Sequence, residues 1–383
     1  MFRKALFLLF SLLLLSGCWD SKAVDQIVFV SGLGIDYQDG EFLVYARILP
    51  FQNVGKQEGS GAQGAQDFPL WGAVGTGSSF DSATDDLYYT TQEPISWAHI
   101  GEVVFTTRAL EKKAIIDEVV DVLNRYSETR SAPWLYVTDE ELPTLAQARP
   151  ILGTSPWYSR VNDPFPVFGQ FSTVKPKAIR DYLINRYEPG KVFIIPMIQL
   201  NTSKWTKDNQ PHPIHEFGGA AFIDHGEYRG SMNAEEAKGL RWMEPESERI
   251  PLYLYKDEKD YASIVFTDPK VEVKPRVERG EVKASITVEV AGEIIENPFD
   301  EKDDTLKEMA EKKIEEQIRS TYQKGVEFQV DVYQIGYHLY QEEPQAFKKL
   351  IGMEESAWLK ENTLSDVQVK VDIVSSGRIR TKK

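Results

Sequence analysis

The sequence is poor in residues on which many protein functions depend. It has one cysteine, Cys18, and five histidines in 383 residues. A single cysteine excludes an internal disulfide, so the fold must be stabilised by packing alone. Lysine and arginine number 44 against 59 aspartate and glutamate residues, which gives a formal net charge of −15. Because nucleic acids attract basic proteins, this charge argues against a nucleic-acid partner.

Common catalytic motifs are also lacking. The sequence has no G-x-S-x-G nucleophile elbow, no P-loop and no H-E-x-x-H zinc motif. Gly32-Leu33-Gly34 follows a predicted strand, but a dinucleotide fingerprint needs a third glycine and a following helix. Here a second strand is predicted instead. We therefore expect a protein that is not an enzyme and has no cofactor, in which these glycines permit close backbone packing or a bulge.

One dense group of candidate metal ligands lies near residue 215. His212, His215, Glu216 and His225 offer the imidazole and carboxylate groups that zinc accepts. Flanking prolines break helical spacing, and no second motif accompanies the histidines. We favour a solvated, histidine-rich segment and expect no metal site. A secreted metal-dependent hydrolase remains a minor alternative.

What the chain does have is an export signal at its amino terminus. Arg3 and Lys4 precede an apolar run that is shorter than the roughly 20 residues of a membrane-spanning helix. The run ends at Leu15-Ser16-Gly17-Cys18, which is the pattern of a lipobox. We predict that residues 1–17 are a signal peptide removed on export. Cys18 is then predicted to carry a diacylglyceryl thioether and an acylated amine.

Lipidation of Cys18 predicts an extracytoplasmic protein held at the outer face of a membrane. Residues 18–25 would be the tether. Because an acidic chain is not attracted to anionic lipid headgroups, the lipid must supply the membrane affinity.

Hydrophobic periodicity predicts a mixed α+β fold in several domains. Strands and helices alternate over residues 26–200, which predicts an N-terminal α/β domain with a hairpin turn at Gln38-Asp39-Gly40. Residues 201–216 contain several Asn, Asp and Pro residues and are predicted to be a linker. Residues 217–260 would form a middle subdomain. Over residues 261–383, the pattern predicts an α+β domain whose antiparallel sheet carries its helices on one face.

Cap residues and apolar spacing also predict individual helices. These are a helix capped by Ser78 or Ser79, a long helix capped by Asp303 or Asp304 that ends near Gly325, and helices from Asn233 to Trp242, Phe328 to Leu339 and Pro344 to Leu359.

A charged group follows the amphipathic helix predicted over residues 112–126. Arg125, Glu128 and Arg130 are candidates for a contact with a partner protein. The more common alternative is ion pairing on the surface.

Taken in order, short motifs give the chain a resemblance to the C subunit of bacterial spore germinant receptors, the Ger(x)C-type lipoprotein family. The motifs are Gly17-Cys18-Trp19-Asp20 with Gly32-Leu33-Gly34-Ile35-Asp36, Ala98-His99 through Glu102 to Arg125, Glu128 and Arg130, Gly218-Gly219-Ala220-Ala221-Phe222, and Asp331-Val332-Tyr333-Gln334-Ile335-Gly336 through Pro344 to the last strand. Together they extend over nearly the whole mature chain.

The resemblance implies mixed α/β modules, no catalytic residues, and assembly with two integral membrane subunits of A and B type on the outer face of the spore inner membrane. It also implies a part in the response to small nutrients. The residues alone leave an alternative, a lipid-anchored solute-binding protein that delivers a nutrient to a transporter. Such a protein should repeat the α/β pattern of its first lobe, whereas residues 261–373 change to strands, helices and a strand.

Overall fold

The computed structural model describes residues 26–49, 71–126, 128–129, 132–153, 159–256, 259–351 and 358–375. In these ranges the strands are β1 Val28–Gln38, β2 Glu41–Leu49, β3 Trp71–Gly77, β4 Ile95–Ser96, β5 Glu102–Thr106, β6 Trp134–Thr138, β7 Lys177–Ala178, β8 Val192–Asn201, β9 Thr206–Lys207, β10 Gln210–Pro211, β11 Ile214–Asp224, β12 Glu227–Asn233, β13 Ile250–Lys256, β14 Lys259–Glu278, β15 Glu281–Glu296 and β16 Leu364–Ser375.

Helices lie between many of these strands. The α-helices are α1 Phe80–Asp86, α2 Thr107–Leu110, α3 Ile115–Arg125, α4 Leu142–Leu145, α5 Phe165–Gln170, α6 Ile179–Asn185, α7 Asp303–Glu327, α8 Ile335–Glu342 and α9 Pro344–Leu350. Short 3₁₀ turns occupy Leu87–Tyr89, Ile151–Gly153, Glu236–Met243 and Glu361–Thr363. The prediction of a mixed α+β fold is confirmed.

The first sheet is mixed and ten-stranded, with the order β12-β11-β8-β6-β5-β1-β2-β3 and with β4 and β7 attached to β1 and β6. Strands β1 and β2 form the predicted hairpin, in which Gln38 pairs with Glu41. Asp39 and Gly40 both have positive φ, 54° and 88°, which suits the Asp-Gly turn. The following strands β5 and β6 run parallel to β1, so the pattern of alternating strands and helices produces this part of the sheet.

The predicted linker, residues 201–216, connects neighbouring strands of this sheet. Strand β11 pairs antiparallel with β8, with His215 opposite Leu200. Between them β9 and β10 form a small two-stranded hairpin. Asn, Asp and Pro therefore mark a turn between paired strands here, and the sheet continues across the segment. The division into domains remains a prediction.

The second sheet has four strands in the order β13-β14-β15-β16. The pairs β13–β14 and β14–β15 are antiparallel, as predicted for the C-terminal region. Strand β16 instead lies parallel to β15, because α7, α8 and α9 return the chain to the end of the sheet from which β15 began. The sheet differs from the prediction at this one pairing.

Several helix limits also differ from the predictions. Ser79 caps α1 through a hydrogen bond that its side chain accepts from Ser82 N, as expected. The N-cap of α7 is Lys302, so Asp303 and Asp304 lie in the first turn, where carboxylates favour the helix dipole. The predicted helix from 233 to 242 is a 3₁₀ segment that follows strand β12, and the one predicted from Phe328 begins only at Ile335. Part of the range predicted for the helix to Leu359 lies outside the described residues.

Strand β11 contributes side chains to two hydrophobic cores. Ala220 and Phe222 belong to a core that includes the second sheet and α7, whereas Ala221 and Ile223 belong to a core between the first sheet and α1, α3 and α6. Alternate residues of a strand face opposite sides of its sheet, which explains this division. The first sheet is therefore packed on both faces over β11.

Candidate functional site

The residues predicted as functional from the sequence do not form a single site. Cys18 and Arg130 lie outside the described residues. Arg125 is an exposed side chain whose Nε lies 2.9 Å from Asp121 Oδ2, one helical turn away. Glu128 accepts hydrogen bonds from Ser96 Oγ and Trp97 N, both at 3.4 Å. The structure thus gives Arg125 and Glu128 different partners, and a contact with another protein stays a prediction.

The histidines near residue 215 are separated by the structure. The His215 ring donates to the Leu145 carbonyl at 3.2 Å, whereas His225 lies at the far end of β11 and contacts Asp224 at 2.8 Å. Glu216 accepts from Asn201 Nδ2 at 2.7 Å and pairs with Lys204. Among the described residues there is no group of three or more His, Cys, Asp or Glu side chains that can hold a metal ion.

The motif Gly32-Leu33-Gly34 lies in β1 beside two buried side chains. A Cβ at Gly32 would lie 2.0 Å from Glu102 Oε1, and one at Gly34 would lie 2.8 Å from Leu142 Cδ2. The first glycine therefore lets Glu102 cross the strand and reach Arg47, whose Nη2 lies 2.5 Å from Glu102 Oε1. Close packing, as predicted, accounts for both glycines.

Two carboxylates of the N-terminal motifs are buried with different outcomes for their pKa. Burial would raise the pKa of Asp36, but hydrogen bonds from Arg108, Thr106 and the Tyr37 N–H outweigh it and hold the pKa below its usual value. Burial raises the pKa of Glu102 to about 7 in spite of the positive charge of Arg47. The number and geometry of their hydrogen-bond donors thus give these two acids of the same sheet different pKa values.

Burial lowers the pKa of His215, which lies close to the ion pair of Arg47 and Glu102. The positive charges of Arg47 and Arg160 add to this effect, while the hydrogen bond to Leu145 opposes it. Although part of the residue reaches solvent, its ring is therefore neutral at neutral pH. Glu102, Arg47 and His215 line one small cavity of about 40 Å³.

A larger cleft lies where the first sheet meets the second. Its volume is about 390 Å³, and its lining includes Lys175, Lys177, Lys191, Glu244 and His338. Lys175 Nζ lies 2.6 Å from Glu246 and 3.7 Å from Glu244, so these two carboxylates partly neutralise its positive charge. Burial lowers the pKa of Lys177. The cleft is open and carries opposite charges side by side.

A second cavity of about 200 Å³ lies next to this cleft, and Val192 borders both. The loop before β8 forms one wall through Gly190, and the segment from Gln329 to Asp331 forms another. Gly190 has a φ of +71°, and a Cβ there would lie 2.7 Å from backbone atoms of Gly336 and Tyr337. This glycine lets the loop of the first sheet pack directly on α8.

Asp331 is the most unusual group in this second cavity. It is 7% exposed, and its Oδ2 accepts a hydrogen bond of 2.7 Å from the Gly336 N–H in the first turn of α8. Its Oδ1 has no hydrogen-bond partner among the described residues. Burial raises the pKa of Asp331 to about 7, and the nearby Asp224 charge adds to this, while backbone N–H groups oppose it. The site holds a carboxyl group with unused acceptor capacity.

The sequence offered one signal for this cavity. Asp331 and Gly336 stand at the two ends of the motif Asp331-Val332-Tyr333-Gln334-Ile335-Gly336, and the structure joins them by the Oδ2 hydrogen bond. The other walls come from segments far away along the chain, including Gly190 and Asp224. Single-sequence patterns do not show such contacts, so the cavity was not predicted.

No helix among the described residues combines the length and the apolar character needed to cross a membrane.

Comparisons with known proteins match both halves of the chain. A family profile described as "Spore germination protein N-terminal domain" matches residues 20–200, and one described as "Spore germination B3/GerAC like, C-terminal" matches residues 218–377. Spore germination protein KC of Bacillus subtilis (strain 168) is 22% identical over 97% of this chain and 95% of its own length. Spore germination protein B3 of the same organism is 22% identical over 94% of this chain and 95% of its own length.

A solved structure, the crystal structure of the GerBC protein, has the same fold. It superimposes with a TM-score of 0.50 at 15% identity and covers 92% of this chain and 99% of the GerBC chain.

Proposed function

Because the chain belongs to the Ger(x)C family of spore germination proteins, we propose that it is the lipid-anchored C-type subunit of a nutrient germinant receptor. In this role it works through contacts with two integral membrane subunits, of A and B type, and carries out no catalysis. It is held by Cys18 at the outer face of the spore inner membrane.

The observation that carries this proposal is the extent of the family match. The two profiles together run from residue 20 to residue 377 with a short interval between them. The chain thus carries both parts of the family, and each part lies C-terminal to the lipobox cysteine. Lipid on Cys18 would keep both parts beside membrane partners and raise their effective concentration there.

Replacement of Cys18 tests the anchor. We expect Cys18→Ala to move most of the protein from the membrane to the soluble fraction, because the thiol that accepts the lipid is gone. Nutrient-triggered germination should fall with it. Membrane fractionation, immunoblotting for total abundance and the optical-density loss of germinating spores are the measurements.

Ser21→Ala is the matched control, since it alters a residue close to the lipobox and leaves the thiol in place. That variant should stay on the membrane and germinate normally. Full membrane retention of Cys18→Ala together with normal germination would contradict the anchor.

The alternative of a lipid-anchored solute-binding protein is less well supported. Its second lobe should repeat the α/β pattern of the first, whereas the second sheet has four strands with helices between β15 and β16. A pull-down from detergent-solubilised spore membranes distinguishes the two. We expect permease-like receptor subunits to be recovered, and recovery of transporter components in their place would favour the alternative.

A further inference from the structure

We propose that the cavity beside Asp331 binds a small organic primary ammonium ion, with the Asp331 carboxylate as counter-ion and aromatic side chains as walls. Such a site goes beyond the germination role of the family. It requires neither the lipid on Cys18 nor the membrane subunits, so it can fail or succeed separately from them.

The first reason is the unused acceptor on Asp331. The side chain is 7% exposed, and its Oδ1 has no hydrogen-bond partner among the described residues. Buried polar atoms in native proteins are nearly always satisfied, because an unpartnered one costs free energy. The Gly336 N–H already serves Oδ2 at 2.7 Å. The Ile335 and Tyr333 N–H groups also stabilise the carboxylate, but Oδ1 has no hydrogen bond of regular geometry among the described residues.

The second reason is the sign of the charge around the cavity. Asp224 and Asp331 line the cavity, and no lysine or arginine is found among the described residues that line it. Asp224 is partly neutralised by Arg229 at 3.7 Å, and it lies 2.8 Å from the His225 ring. No lysine or arginine among the described residues forms an ion pair with Asp331. A cation is therefore attracted, and a carboxylate or phosphate is repelled.

The third reason is the shape and the chemistry of the walls. The volume of about 200 Å³ suits a ligand of a few heavy atoms, and Phe347, Ile351 and Trp358 supply apolar surface. The face of an aromatic ring attracts an ammonium group, and the apolar surface accommodates a short alkyl chain. A primary ammonium also has three N–H donors for the acidic side chains that line the cavity.

Binding of n-butylammonium to the full chain in detergent tests the site. Isothermal titration at pH 8.5 is suitable, because Asp331 is ionised above its raised pKa of about 7 while alkylammonium groups keep their proton. We expect a dissociation constant of about 1 mM, which is within reach of a ligand with five heavy atoms. Butyrate and 1-butanol, of similar size, should bind at least about tenfold more weakly if the carboxylate selects the cation.

Three variants locate the site, one of them as a control and one as a second test. Asp331→Asn keeps an acceptor for Gly336 but removes the charge, so we expect at least about a tenfold loss of affinity. Asp372→Asn, an exposed acid on β16, is the matched control and should bind within about twofold of wild type. If Asp331→Asn fails to fold, Trp358→Leu removes part of the wall and should weaken binding several-fold.

Crystals soaked with n-butylammonium should place its nitrogen within hydrogen-bond distance of the Asp331 carboxyl group. The proposal is overturned if n-butylammonium does not bind, if 1-butanol binds equally well, or if a folded Asp331→Asn protein binds as wild type does. A cavity that contains only water would give the first of these results.

Discussion

At the scale of single residues, the buried acids show that protonation depends on the balance between burial and local donors. At Asp36 the donors, which include the cationic Arg108, outweigh burial and lower the pKa, whereas at Glu102 and Asp331 burial outweighs the donors and raises the pKa to about 7. Each acid lies within a segment that carried the sequence resemblance. These segments therefore place charged groups inside the fold, where they affect its stability as a function of pH.

His215 provides a pH-dependent test of this interior. Its pKa is lowered in the folded state, so below about pH 6.5 the unfolded chain binds a proton that the folded chain does not. Stability from this group is present above that pH and is lost as the pH falls. We expect His215→Gln to cost about 1–3 kcal/mol at pH 8 and about 2 kcal/mol less at pH 5. Chemical denaturation at both pH values measures the difference.

Glu102 acts in the opposite direction. Because its folded-state pKa is raised, stability from Glu102 is present at low pH and is lost as the pH rises towards 7. Both proteins in the His215 comparison retain Glu102, so its effect cancels in the difference. A cost of His215→Gln that is constant from pH 8 to pH 5 would show that the ring titrates normally in the fold.

At the scale of elements, helix α7 shows most directly how sequence spacing becomes packing. Its buried residues Leu306, Ala310, Ile314 and Ile318 are four apart, and each has zero exposure. This spacing places them on one face of the helix, which covers the second sheet. Polar residues on the other face leave it exposed to solvent.

Ile314→Ala should therefore destabilise the second sheet. Removal of a fully buried isoleucine leaves a cavity and costs about 2–5 kcal/mol in the free energy of unfolding. Lys312→Ala, on the exposed face of the same helix, should change stability by less than about 0.5 kcal/mol. Urea denaturation of the two variants compares them, and equal costs would contradict the assignment of the buried face.

Elements with a strong local period were predicted well, and those fixed by distant contacts were not. The hairpin at Asp39-Gly40 and helix α7 follow from turn chemistry and spacing within one segment. The parallel direction of β16 is set by a pairing between Ala284 and Leu364, which no local pattern records. The 3₁₀ segment Glu236–Met243 has helical spacing, and tertiary packing determined its form.

The candidate site was predicted less well than the fold, for the same reason. The sequence singled out the segment that contains Asp331, but the burial of its carboxyl depends on Gly190, Phe347 and Trp358 from other segments. The glycines at 32 and 34 were correctly interpreted as packing residues, since rejecting a nucleotide site needed only the predicted second strand. Arg125 and Glu128 were grouped by sequence proximity, and their side chains have separate partners.

At the scale of the whole molecule, the shared core ties the two sheets together. Phe222 of β11 has zero exposure and packs in the same core as α7, although its strand pairs with β8 of the first sheet. Nearby, Trp242 Nε1 donates to Gln317 Oε1 of α7 at 2.8 Å. Damage at this position should therefore spread to both sheets.

Phe222→Ala tests this coupling. The variant should lose about 3–5 kcal/mol of stability and should lower hydrogen-exchange protection in both β8 and α7. Val74→Ala, at a half-exposed position of strand β3, should leave both unchanged. If α7 kept its full protection in Phe222→Ala, the two sheets would be independent in stability.

The parallel pairing of β15 with β16 has a consequence for the order in which the protein is made. Ala284 pairs with Leu364, so all of α7, α8 and α9 must be made before the second sheet can gain its last strand. Long-range pairings of this kind form late, and the waiting strand exposes apolar side chains and an open edge. A chain in which β15 has formed but β16 has not yet paired with it is therefore prone to aggregation, and a chaperone could protect it at this stage.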